Sequence, residues 1–155
     1  MPVKTPSPIA TVLAGLEGNS ATVNRVAGKK QVLVTTIDLH QVAGTYDIAT
    51  ATAQGVIIES IILSPYVDVS DDVSGITGVT IQTDTTTEQE LIDANLGQIA
   101  NLTAEAQITR IVSVFVRVTD KIQFTIEGDA ADDDPTTCDV IITYRAIANG
   151  GYLVA

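Results

Sequence analysis

The chain has 155 residues, 45% hydrophobic and only 4% aromatic with no Trp, and a formal net charge of −11 from 8 basic and 19 acidic residues. One domain of this size closes an aliphatic core without disulfide staples. So few cations exclude the neutralisation of a phosphate backbone as the main task of its surface, and so few rings argue against a stacking platform for bases or sugars.

Residues 1–30 differ from the rest. Pro2, Pro6 and Pro8 favour extended backbone and cannot donate to a ladder. Lys4, Arg25, Lys29 and Lys30 concentrate positive charge here, and Gly15, Gly18 and Gly28 interrupt any regular element. The segment reads as an extended N-terminal arm that runs along the domain or onto a neighbour; a frayed terminus is the alternative. It lacks the apolar stretch of a signal peptide, and no window of the chain reaches membrane-spanning length. The expectation is therefore that the protein is made and stays in a cytoplasm, or leaves it only as part of a particle.

From Gln31 the pattern is one of strands. Val32, Val34 and Thr36 alternate with Leu33, Thr35 and Ile37, which predicts a strand near 31–38. A short strand follows at Gly44–Ala49. Val56–Ser64, VIIESIILS, is apolar on both faces apart from Glu59 and Ser60, which predicts a central strand ending at Pro65. Val79–Asp84 is another short strand. Thr87 with Glu90 three residues on has the form of a capping box, and Leu91, Ile92 and Leu96 before Gly97 complete a predicted short helix near 87–96.

Gln107–Thr119, QITRIVSVFVRVT, is the clearest strand. Ile108, Val112, Val114, Val116 and Val118 share one parity with Arg110 as the exception, while Ile111 and Phe115 fall on the other. Asp120-Lys121 and the alternating Ile122, Phe124 and Ile126 predict a hairpin with a tight turn. Cys138–Ile147 is the last strand, and 149–155 reads as a flexible, finally apolar tail behind Gly150-Gly151. The fold class is all-β: an antiparallel two-sheet sandwich, jelly-roll-like, with the body at 31–148. An immunoglobulin-like sandwich is the rival topology, though neither the Cys pair nor the Trp of that class is present.

Candidate chemistry is sparse. Asp68, Asp71 and Asp72 in one loop and Asp132, Asp133 and Asp134 in another could converge on calcium, but their spacing matches no EF-hand and acidic loops are ordinarily just solvated. His40, the single histidine, has Asp38 nearby but no nucleophile motif to serve, so a turn or surface histidine is the favoured reading. Cys138, the single cysteine, reads as an inert core thiol. No cofactor motif is present, and no enzyme is expected.

The stretch IDLHQVAGTYDIATATAQGVIIESIILSPYVDVSDDVSGITGVTIQTD, followed by the later hairpin and the final ITYRA strand, resembles the head decoration, or cement, proteins of tailed phages over roughly residues 31–147. That resemblance implies a homotrimer on the outer capsid surface of the virion, bound across junctions of the major capsid protein and reinforcing the shell. It implies no catalytic residues, no nucleic acid and no membrane. Lys4, Arg25, Lys29 and Lys30 are then the expected contacts to the capsid or a sister subunit. The competing class is a receptor- or carbohydrate-binding β-sandwich module of a viral fibre or spike.

Overall fold

The computed structural model describes residues 26–72, 75–128 and 135–155. These form nine strands: β1 (Lys30–Asp38), β2 (Gly44–Thr52), β3 (Val56–Pro65), β4 (Ile76–Thr83), β5 (Glu90–Ile92), β6 (Ile108–Val116), β7 (Lys121–Gly128), β8 (Thr137–Ala146) and β9 (Tyr152–Val154). Helical structure among the described residues is limited to one turn, α1 (Val69–Asp72), and a 3₁₀ turn at Ile99–Asn101.

Two antiparallel sheets face each other, ordered β1-β8-β3-β6 and β5-β4-β7-β2-β9. Between consecutive strands the chain changes sheet every time except from β4 to β5. This is the double Greek key of a jelly roll, with β9 added beside β2. Apolar residues on the inward parity fill the space between the sheets: Ile58, Ile61, Leu63 and Val140 and Ile142 from one, Val79, Ile81, Ile122, Phe124 and Ile126 from the other. With few rings available, stiff branched side chains supply nearly all of this core.

β3 is interior to its sheet, paired with β8 on one side and β6 on the other; Ile58, Ile61 and Leu63 on its inward face are buried, while Ile57 on the outward face is exposed. A register shift between Ile58 and Ser60 makes a bulge at Glu59.

Three expectations are corrected. Residues 87–96 do not form a helix; Glu90–Ile92 is β5, pairing with β4, and Leu91 and Ile92 are both fully buried. The loop after it is an Asx turn, in which Asn95 N and Leu96 N donate to Asp93 Oδ1 at 3.0 and 2.9 Å. The segments 107–119 and 122–127 do not form a hairpin, because β6 and β7 lie in different sheets. Residues 117–120 carry the chain across: Thr119, at φ 75°, donates its N–H to Ala51 O at 2.8 Å, and Ala51 N donates to Asp120 O at 3.0 Å. Finally, 149–155 is not a free tail, since Tyr152–Val154 pairs with β2 and Leu153 is buried.

Candidate interaction surface

The most distinctive surface is the outer face of the β1-β8-β3-β6 sheet. Residues opposite one another in an antiparallel ladder share a face, so the register reads out its rows. One row runs Lys30, Arg145, Ile57, Phe115; the next runs Val32, Thr143, Ser60, Ile111; the third runs Val34, Ile141, Ile62, Thr109. Within these rows Ile111 is 85% exposed, Val34 61% and Val32 58%, and Phe115 and Ile57 are also exposed. Isolated exposed apolar side chains are ordinary, but five share this one face, Val32 and Val34 on β1 and Ile57, Ile111 and Phe115 on β3 and β6 with β8 between them, and such a concentration is of the kind that marks an interaction site.

One end of the patch is basic. The bulge at Glu59 turns its carboxylate toward Arg145, whose Nε donates to Glu59 Oε1, and toward Lys30, whose Nζ lies 3.7 Å from Glu59 Oε2. Arg145 also donates through Nη1 to Gly28 O at 2.9 Å, tying this corner to the turn Val26–Lys29, where Lys29 N donates to Val26 O. Lys29 and Lys30, expected from sequence as contacts, are thus brought together at the start of β1. Arg145, which joins them, carried no sequence signal beyond an outward parity on β8. Lys4 and Arg25 lie outside the described residues.

Of the calcium candidates, only Asp68 has its side chain among the described residues. Asp68 Oδ1 accepts the backbone N–H of Ala104 at 2.8 Å, which fixes the loop after β3. Asp71 and Asp72 fall in α1 with side chains outside the description, as are Asp132, Asp133 and Asp134. No group of three or more His, Cys, Asp or Glu side chains among the described residues could hold a metal ion.

Asp38 does not orient His40 for catalysis. Its Oδ1 accepts the backbone N–H of His40 and that of Thr136, both at 2.9 Å, and so caps the end of β1. Cys138 is fully buried, and desolvation pushes its thiol pKa up to about 12, which leaves no thiolate for nucleophilic work. An open polar groove of about 430 Å³ lies between the β4–β5 loop and the end of β6, lined by Asp84, Thr86, Gln89, Phe115, Arg117 and Asp120 among others. No helix among the described residues is long and apolar enough to cross a membrane.

No family model matches the chain, and no curated protein does. Among solved structures, the chain is similar to one in the acidic stable capsid structure of Helicobacter pylori bacteriophage KHP30, at 11% identity and a TM-score of 0.46, covering 84% of this chain and 96% of that one. It also overlaps chains of infectious bursal disease virus: one of the Gx strain at 14% identity and a TM-score of 0.29, and one of the VP2 subviral particle at 10% and 0.28. The chain spans about two fifths of the length of those two, 39% and 40%, with 82% of its own residues covered in each. At these scores the likeness is one of outline, and no role is drawn from it.

Proposed function

We propose that this protein is a structural component of a virion, bound to the outside of a phage capsid as a homotrimer and stabilising the shell by contact rather than by chemistry. The observation that carries the reading is the apolar outer face of the β1-β8-β3-β6 sheet, which a protein acting alone in water has no reason to maintain. The resemblance of residues 31–147 to head decoration proteins supplies the partner, the major capsid protein. The charge of −11 keeps free copies soluble before they assemble. In this reading the sheet face lies on the capsid, and Lys4, Arg25, Lys29 and Lys30 contact capsid or sister subunits, Lys29 and Lys30 from its basic end.

Cosedimentation with undecorated capsids tests the proposal, with the full chain pelleting saturably and a chain lacking residues 1–25 pelleting less. A full chain that stays in the supernatant at all concentrations refutes it. A second reading, a carbohydrate-binding module of a fibre or spike, is favoured by the polar groove beside Phe115, where hydroxyl and carboxylate groups adjoin one exposed ring. A glycan array separates the two, because saturable sugar binding without capsid binding selects the module.

A further inference from the structure

We propose that the open edge of β1 pairs with β1 of a second copy of this chain, antiparallel about a two-fold axis at Val34, joining two four-stranded sheets into one.

β1 is the terminal strand of its sheet, and among the described residues its outer side has no strand partner. Edge strands are ordinarily blunted by proline, an inward charge, a bulge or brevity. β1 has none of these: it is nine residues long, pairs with β8 in unbroken register, and is uncharged from Gln31 to Ile37.

Its backbone groups can be assigned from the ladder. Leu39, opposite Thr136 if the register continues one step past Asp38–Thr137, donates its N–H to Thr136 O at 2.9 Å. Odd-numbered residues therefore point their N–H and C=O toward β8, and Lys30, Val32, Val34, Thr36 and Asp38 point theirs outward. A second β1 matches this set when even-numbered residues face even-numbered ones.

Charge selects among such registers and identifies the occupant. With Val34 opposite Val34 of the other copy, Val32 faces Thr36 and Lys30 faces Asp38, at both ends by symmetry. Lys30 is held only loosely by Glu59, at 3.7 Å, and Asp38 Oδ2 accepts no bond among the described residues. A strand that starts with a cation, ends with an anion and is uncharged between them is complementary to itself reversed. The joined sheet also brings the exposed Val32 and Val34 of both copies side by side. The two-fold pairing goes beyond the proposed capsid role and is a different contact from the three-fold one.

The test uses the full chain with Val34→Cys, relying on the buried native Cys138 to stay silent. Opposed residues in such a pair lie about 5.5 Å apart at Cα, within disulfide reach. Mild oxidation should give a disulfide-linked dimer for Val34→Cys. It should give none for Val32→Cys alone, and should link Val32→Cys combined with Thr36→Cys. In sedimentation equilibrium, Lys30→Glu should weaken the unlinked dimer by about tenfold or more, since it sets like charges opposite each other twice. No link at Val34→Cys, or linkage as ready at Val32→Cys alone, overturns the proposal. The linkage is read on the isolated chain, so its failure is distinct from a failure to bind capsids.

Discussion

Replacing Ile111 with Thr separates a docking residue from a folding one. Ile111 sits on the outer face of β6, 85% exposed, so the folded chain gains almost nothing from its side chain. Fully burying an isoleucine stabilises by about 1.5–3 kcal/mol, so a partner surface laid over this face recovers about 2 kcal/mol at this position. Threonine retains the branched shape that suits a strand but forfeits about 1.5 kcal/mol of that gain, or roughly tenfold in affinity. The urea midpoint should meanwhile correspond to a stability change within about 0.5 kcal/mol, as for other surface substitutions. Cosedimentation with undecorated capsids, run beside urea unfolding, reads both quantities. Affinity equal to that of the parent chain would refute the assignment of this face to docking. A fall in stability as large as the fall in affinity would place Ile111 in the fold instead.

Ile142→Ala, at a fully buried position on β8 opposite Ile61, should lose about 2–5 kcal/mol in denaturant unfolding. Gly97→Ala should cost about 3 kcal/mol in the same assay, because an added Cβ would sit 1.6 Å from Val79 O, which forces the β4 edge apart. Asp47 has its carboxyl pKa lowered from 3.8, first by the Gln123 amide and then by the Lys121 ammonium, 2.5 Å away. Its contribution is therefore present above the unfolded value and lost as pH falls through the lower folded one. Asp47→Asn should accordingly be the less stable chain near pH 6, with the gap closing as pH falls below 3.8 in pH-dependent thermal melts. Cys138 should react with a thiol reagent only as fast as the protein unfolds, and a native-state rate like that of a free cysteine would contradict its burial.

The strands that carry the core were legible because alternation maps directly onto two faces. Ile108, Val112, Val114 and Val116 point inward and Ile111 and Phe115 outward, as their parity implies. Val118 breaks the rule only because β6 ends at Val116. The false helix at 87–96 came from two adjacent apolar residues, Leu91 and Ile92, after a capping pattern. A register shift between Ile81 and Gln82 is associated with both being buried in a three-residue strand, and periodicity carries no trace of that shift. The false hairpin came from reading Asp120-Lys121 as a tight turn, whereas a positive φ at Thr119 turns the chain between sheets, in a conformation that threonine does not advertise. The exposed apolar face was half legible. Ile111 and Phe115 were visible on a wet parity, but their alignment with Ile57, Val32 and Val34 depends on pairings between residues as far apart as Lys30 and Arg145, which only the sheet order supplies.

Reconstruction by electron microscopy of undecorated phage capsids incubated with the protein tests the central claim most directly. Added density is expected on the outer surface, fitted by the jelly roll with its β1-β8-β3-β6 sheet toward the shell and Ile111 in the contact. Bare capsids, or bound density with the β5-β4-β7-β2-β9 sheet against the shell, would contradict it.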